Sequence, residues 1–523
     1  MDVKLPIGID DFREVRERGY LYVDKSLLID ELLESSLKVT LITRPRRFGK
    51  TLALSMIKYF LDIKDREKSR KLFTDLEIEK SKYIEEQGKY PVIYLSFKDI
   101  KVENWGICLE KIRILCGELF EKYQFVIEKL DKKRKMKFER ILMEECSYSE
   151  LENALKLLTD ILYEYYGQKT VLLIDEYDTP LITAYRKDYF EQALSFFRNF
   201  YGAALKGNES LHLSVMTGVL RIAREGVFSG LNNMNVFTVF NERYSRYFGF
   251  TEKETDTLLA DCKEKEKAKE WYLGYNFGRE KCANPWSLLK YLNEKQFKLY
   301  WTNSSDDEIL KGVCGSLDDE FYEDFENLFS GKKILKYIAE DTIFNKLDDR
   351  GKIWENLLYN GYLTTAGQRD EHEYYLTVPD KELRTFFKYI LLDDFTQGNI
   401  IIFNEMINVL KKIKAENIRD FEHLLQKIFN YSDLCYKVGC QEKFSEKLAL
   451  GLILALYEDY SAEIKKSDDI ISKIRIIPKK EGSRECVLNF FKDDIDVIEE
   501  VSTEKKIVLN IIFSKKKISV KSI

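Results

Sequence analysis

Histidine is nearly absent from this chain. Three occur in 523 residues (His212, His372 and His423), far apart in sequence. That scarcity argues against a histidine-built metal or acid–base centre and favours packed or surface roles for each. Proline is also scarce, at seven, as expected of a chain rich in helix. Nine cysteines are scattered, an odd number with no C-x-x-C pair, and Cys435 and Cys440 are the nearest neighbours. This pattern argues against a disulfide framework or a zinc site and suits a reducing cytoplasm. No apolar run reaches the length of a membrane span; residues 448–457 come nearest, at about half of one. The start, MDVKLPIGIDDF, lacks the charged-then-apolar layout of a signal peptide. The sequence therefore points to a cytoplasmic protein with no membrane segment. An excess of basic charge is lacking too. A net charge of −5 and a pI near 5.8 argue against nonspecific coating of nucleic acid, although local basic patches remain open to a polyanion.

What is present is a long globular chain, 33% charged and 45% hydrophobic, expected to hold roughly three domains. One stretch organises it. Residues 39–43 (VTLIT) read as a strand, RPRRFGKT follows, and an apolar periodicity then runs through Leu52, Leu54, Met56 and Ile57. Strand, loop and helix form the context of a phosphate-binding loop. There backbone N–H groups and a helix N-terminus receive the anion, Lys50 reaches the outer phosphates and the Thr51 hydroxyl ligates Mg²⁺. The pattern normally opens with glycine, and Arg44 stands in that place. Arg44, Arg46, Arg47, Phe48, Gly49, Lys50, Thr51 and Leu52 make up the candidate nucleotide site.

A loop of this kind needs an acidic partner. Residues 170–178 read TVLLIDEYD: a buried parallel strand ending in an acidic pair. Asp175 would hold the Mg²⁺ shell, and Glu176 would polarise the attacking water. The plain alternative is an apolar strand that stops in a polar turn. Its pairing with Gly49-Lys50-Thr51 upstream decides for an ATP- and Mg²⁺-dependent reading. Further strands are expected at residues 91–97 (PVIYLSF), 212–219 (HLSVMTGV) and 235–240. Thr217, at the tip of the second of these, is the sensor candidate. Arg221 or Arg224 just beyond could stabilise transition-state charge or form a structural salt bridge. Tyr20 to Val23 reads as a short strand, residues 100–166 as helical throughout, and KLDKKRKMKFER (129–140) as the densest positive run. A solvated helix face is the plain reading of that run, and a nucleic-acid patch the sharper one.

The blocks GIDDFREVRERGYLYVDKS, RPRRFGKT, PVIYLSF, LLIDEYDTP, MTGVLRIAREGVFSGLNNMNVFTV, RYFGFTEKE, WYLGYNFG, NPWSLLKYL and YWTNSS occur in this order. Together they resemble the bacterial AAA-ATPase-like family that is usually fused to a PD-(D/E)XK nuclease-like domain. The resemblance covers about residues 5–305. In that family the arginine-rich loop is the usual form, so the resemblance makes Arg44 a family trait. It implies an α/β fold with a P-loop, ASCE-type parallel sheet over residues 1–244, in which another strand separates the two motif strands. It also implies a helical lid over 245–305 and a nuclease-like domain at 401–523. Asn284-Pro285-Trp286 reads as the start of a packed lid helix.

Residues 306–400 read as a helical, winged-helix-like connector: a helix and glycine turn, a strand in IWENLLYNGYLTT, and a hairpin mate at 374–378. In the last third, nuclease chemistry needs an Asp on one strand and Glu-x-Lys on the next. In SKIRIIP (472–478) Lys473 falls where the Asp is expected. In CVLNFFK (486–492) Phe490 falls where the Glu is expected, and Lys492 alone remains. Asp493, Asp494 and Asp496 follow at the wrong phase. Taken together, these features point to an ATP-binding, ATP-hydrolysing protein with a nuclease-like domain that has lost its catalysis. The alternatives are an ATP-coupled nuclease acting on nucleic acid and a nucleotide-binding switch without turnover. Whether the partner is nucleic acid or protein stays open, as does assembly into a homo-oligomer.

Overall fold

A computed structural model describes residues 4–222, 227–228, 233–301, 324–325, 327–329, 331–339, 352–396, 400–411, 418–431, single positions between 444 and 456, 460–467, 470–479, 485–492, 503, 506–514 and 517–522. The chain forms two compact units, residues 1–301 with 337–374, and residues 302–336 with 375–523. The span 306–400, expected as a single connector, divides between them.

In the first unit the apolar runs become a sheet. β1 (Val39–Thr43), β2 (Val92–Ser96), β3 (Thr170–Asp175), β4 (Leu211–Gly218) and β5 (Met234–Phe237) lie in the order β2-β3-β4-β1-β5. Every neighbouring pair is parallel. β1 and β3 are buried at all positions, which is why they read as unbroken apolar runs and not as alternating ones. β4 separates the two motif strands, as expected. Ile42 lies beside Thr217 and Ile174 beside Met216. Because the strands are parallel, the chain leaves β1, β3 and β4 at one sheet edge, where open α/β sheets take their ligands.

The helix Lys50–Leu61 follows β1 and buries Ala53, Leu54, Met56, Ile57, Phe60 and Leu61. The stretch expected to be helical throughout, 100–166, is instead cut into Trp105–Glu121, Gln124–Lys129, Lys132–Leu142, Tyr148–Glu152 and Ala154–Tyr166. Asn104, Asp131 and Ser147 each accept N–H bonds from the turn that follows. Capping side chains of this kind start new helices, so a continuous helical pattern breaks where they occur. The basic run lies on Lys132–Leu142, where Arg134 pairs with Glu164 and Arg140 with Glu150. Phe138 and Ile141 on the same helix are buried. Tyr20 to Val23 is not a strand; backbone bonds from Tyr20 N–H to Val15 O and from Leu21 N–H to Lys4 O join it to the preceding chain.

Residues 245–300 are not helical alone. The helices Glu252–Leu258, Lys265–Tyr272 and Pro285–Glu294 accompany a small antiparallel sheet of β6 (Phe250–Thr251), β7 (Leu273–Phe277) and β8 (Glu280–Ala283). Its strands are only two to five residues long, too short to give a readable alternation. The helix Ile353–Tyr359 and the hairpin Thr364–Asp370 with Glu373–Thr377 follow the expected helix–turn–strand order.

The second unit has a sheet of Tyr460–Ser467, Ile470–Pro478, Glu485–Lys492, Lys506–Ser514 and Lys517–Ser522 in sequence order. The pair Glu485–Lys492 with Lys506–Ser514 is parallel and the others are antiparallel. The helices Ile400–Lys411 and Ile418–Tyr431 share a core with one sheet face through Phe403, Phe421, Phe429, Leu488, Phe490 and Phe513. Gln426 and Glu422 accept the backbone N–H groups of Ile518 and Val520 and so fix the edge strand. No helix among the described residues is long and apolar enough to cross a membrane.

Candidate nucleotide-binding site

The loop between β1 and the Lys50–Leu61 helix turns twice through left-handed backbone, at Arg47 (φ 69°) and Gly49 (φ 83°). Glycine takes this conformation freely, while at Arg47 it costs on the order of 1–3 kcal/mol and needs outside support. The support is visible. The Arg47 guanidinium lies 4.3 Å from the Trp286 ring centroid, and the Trp286 indole N–H donates to Tyr300 O at 3.1 Å. Asn284 caps the helix that carries Trp286 by accepting the N–H groups of Trp286 and Ser287. Trp301 Nε1 donates to Arg46 O. Gly361, at φ 87°, comes so close to Pro45 that a Cβ there would sit 2.8 Å from the proline ring, and the Tyr275 hydroxyl holds the Gly361 carbonyl at 3.0 Å. Trp301 and Gly361 lie within readable sequence blocks, but nothing in the sequence ties them to this loop, which is more than 250 residues away.

Arg44, expected among the phosphate ligands, is fully buried. Its Nη1 donates to Thr43 O at 2.7 Å and Phe237 O at 3.2 Å, and the Phe248 and Phe277 rings lie 5.4 and 5.2 Å away. Burial pushes its pKa down to about 9, since desolvation penalises a cation. This side chain thus touches backbone carbonyls and rings that belong to the protein itself. Phe48 is likewise enclosed, edge-on to Tyr275 and Phe277 at 4.8 and 4.9 Å, with Gly249 donating to its carbonyl. Both residues brace the loop from within.

Lys50 is 8% exposed. Its Nζ donates to Arg44 O at 3.0 Å and Pro45 O at 2.9 Å, so the ammonium spans the loop's own mouth. Burial lowers its pKa, and the charges of Glu176, Asp175 and Asp178 oppose that shift. Thr51 and Leu52 form the first turn of the helix, which no side chain caps; such a turn offers its N–H groups to an anion.

The acidic partner meets this loop at Asp175, which is 1% exposed. Its Oδ2 accepts the Thr51 hydroxyl at 2.7 Å, and its Oδ1 accepts the Thr217 hydroxyl at 2.5 Å and the Glu176 N–H at 3.1 Å. Three distant segments therefore share one carboxylate. A hydroxyl beside a carboxylate is an oxygen donor set that suits Mg²⁺ with its retained waters. Glu176 adopts φ 51°, and its Oε2 accepts the Thr179 hydroxyl at 3.1 Å. A left-handed glutamate directly after the shared aspartate is the kind of strain found at functional sites. Arg221 follows β4, and Arg224 lies outside the described residues. Asp178 was not among the residues picked from sequence, although LIDEYD displays it. It is 1% exposed, and burial raises its pKa to about 6.

In the second unit, Lys473 lies opposite Asn489, and Asn489 donates to Asn510 at 3.1 Å. Phe490 is fully buried and stacks with Phe513. Asp493, Asp494 and Asp496 lie outside the described residues.

Comparison with known proteins agrees with the geometry. Residues 6–228 match the family described as "Predicted AAA-ATPase". The chain is also 28% identical over 304 residues to an uncharacterized protein in the vnfD 5' region of Azotobacter chroococcum mcd 1, an alignment that takes in 57% of this chain and 53% of that protein. The chain thus spans about half the length of the curated relative it matches.

Proposed function

We propose that residues 1–244 bind MgATP on the 44–51 loop and hydrolyse it. The observation that carries this reading is the single carboxylate of Asp175 shared by Thr51 and Thr217. Mg²⁺ would be held by Thr51 and, through its water shell, by Asp175. It would neutralise charge on the phosphates, which is most of what phosphoryl transfer asks of a protein besides positioning. The backbone of the loop and the first helical turn receive the phosphates. Lys50 exchanges its two carbonyl partners for phosphate oxygens, and Arg46 and Arg47 add fixed positive charge at the same loop. Glu176 orients the attacking water once its bond from Thr179 opens. Thr217 reports the state of the metal site through Asp175, and Arg221 stabilises charge that develops in the transition state. Arg44 and Phe48 serve the site by holding the loop in shape.

The region 401–523 is read as a nuclease-like fold without nuclease chemistry. Phe490 fills the core at the place where a metal-binding glutamate is expected, and Lys473 stands in for the aspartate. The 245–305 segment acts as a lid by holding Arg47 on Trp286. The partner that uses ATP turnover is a nucleic acid or a protein.

The test is nucleotide binding and phosphate release by the purified full chain, with and without DNA or RNA. K50A is expected to lose both nucleotide affinity and turnover, and E176Q to bind MgATP but release no phosphate. Unchanged turnover in K50A would overturn the ATPase reading. Metal-dependent cleavage of DNA that is lost in K492A would overturn the reading of the last domain.

A further inference from the structure

The chain that leaves β4 forms neither helix nor strand at residues 219–221, yet two neighbouring side chains hold four backbone groups of residues 219–222. Asp178 Oδ2 accepts the N–H of Val219 at 2.8 Å and of Leu220 at 2.7 Å. The Tyr177 hydroxyl donates to Leu220 O at 2.7 Å and accepts the Ile222 N–H at 3.2 Å. Tyr177 is itself fixed at both backbone ends. Its N–H donates to Thr217 O, and its carbonyl accepts the Tyr201 hydroxyl at 3.0 Å. Between these contacts lies Gly218, where a Cβ would come 2.6 Å from Asp178 Oδ1 and 2.7 Å from Tyr177 Cε1. Both side chains are buried, and the carboxylate oxygen that takes two N–H donors is committed to backbone and not to metal.

We propose that Tyr177 and Asp178 form a clamp that positions the β4 exit, with Asp178 as a positioning residue for ATP hydrolysis. The clamp sets the backbone directly after Thr217, whose hydroxyl lies on Asp175, and on both sides of Arg221. It thereby links the strand that carries Asp175 and Glu176 to the strand that carries Thr217 and Arg221. In this role Asp178 acts through the backbone of Val219 and Leu220. Its effect falls on kcat, because misplacing catalytic groups by small distances lowers rate more than binding. The proposal rests on the ATPase reading above.

The experiment measures steady-state ATP turnover together with MgADP affinity by titration calorimetry for wild type, D178A, D178N, Y177F and G218A. In D178A kcat is expected to fall on the order of 10- to 100-fold, with MgADP affinity within about threefold of wild type. D178N keeps one carbonyl oxygen able to accept both N–H groups and should fall between the two, which is rescue by the conservative variant. It also decides the matter where D178A does not fold. G218A removes no polar group and forces the clamp apart from the other side, so it should lower kcat with affinity retained. Wild-type kcat in D178A and D178N would overturn the clamp and leave the ATPase reading standing. Parallel loss of MgADP affinity and kcat in D178N would also overturn it, in favour of a general role in folding the loop. A wild-type protein that turns over no ATP would overturn both.

Discussion

Two sheets in this chain use the same material and end differently. In the parallel sheet of the first unit, the interiors of β1 and β3 are apolar and the exits are polar. Asp175, Thr217 and the 44–51 loop come together where the strands stop. In the mixed sheet of the second unit, the strand Glu485–Lys492 carries Asn489, Phe490 and Phe491 near its end. Phe490 turns into the core, and Asn489 is spent on Asn510 across a parallel register. The first sheet shows that burial of a strand and chemistry at its end are separable properties. In the second the described strand interiors serve packing. Side chains in a strand interior are selected by volume, while those at the exit are selected by what they can bind.

The sharpest way to break that comparison is to give the second sheet what it lacks. F490E places a carboxylate among Phe513, Phe429 and Leu488, where an unpaired charge has no partner. The expected cost is about 3–5 kcal/mol of stability, seen as a lower urea midpoint for the second unit, with no metal-dependent cleavage of DNA. Cleavage in F490E would mean that the sheet had kept a working metal geometry. The matching change in the first sheet is K50A. Removing one preorganised charge from a phosphate site is expected to lower kcat by on the order of 10²–10³, while the melting temperature changes little because the ammonium bonds only loop carbonyls. A stability loss as large as that of F490E would show Lys50 to be structural.

A third contrast lies within the first unit and depends on pH. Burial holds the Asp178 carboxyl at about 6, against roughly 4 for an unfolded aspartate. The folded state therefore keeps a proton that the unfolded chain has lost. Stability from this group is full below about pH 4 and is lost as pH rises through about 6. D178N removes the titration. The stability of wild type relative to D178N should fall by on the order of 1–3 kcal/mol between pH 4.5 and 7.5, read by urea unfolding at both values. A constant difference would mean that Asp178 stays charged throughout, and that the two backbone N–H donors outweigh desolvation.

The same contrast explains what the sequence could reveal. β1, β3 and β4 were legible nearly to the residue, because buried parallel strands are continuous apolar runs. Residues 50–61 were legible from their helical period. Thr51, Asp175 and Thr217, picked out because hydroxyls and a carboxylate at strand exits are the groups a phosphate and a metal need, do come together, while Lys50 bonds the loop's own carbonyls. The β6–β8 sheet was missed because strands of two to five residues give no period to read. Arg44 is a candidate ligand from sequence because an arginine in a phosphate loop is chemically plausible, and its packing partners are not readable there. Only the fold shows that Phe248 and Phe277 enclose it. Trp301, Gly361 and the Tyr177–Asp178 clamp act through contacts that depend on tertiary packing, and local pattern carries no record of those.

The smallest effect tests the plainest reading. Residues 129–140 hold the densest basic run, and several of its charges are engaged on the protein's own surface: Arg134 with Glu164, Lys135 near Glu139, and Lys129 over the Tyr165 ring at 4.3 Å. The Arg134 and Glu164 side chains are 35% and 54% exposed, so water and salt screen the pair. R134A should therefore change stability by no more than about 1 kcal/mol. ATP turnover should be unchanged, with or without DNA. A phosphate contact at this helix would behave otherwise. Its loss would weaken DNA binding uniformly across sequences and lower the salt slope by about one. Binding isotherms for wild type and R134A at two salt concentrations separate the outcomes, because a solvated helix face gives identical slopes and a nucleic-acid patch does not.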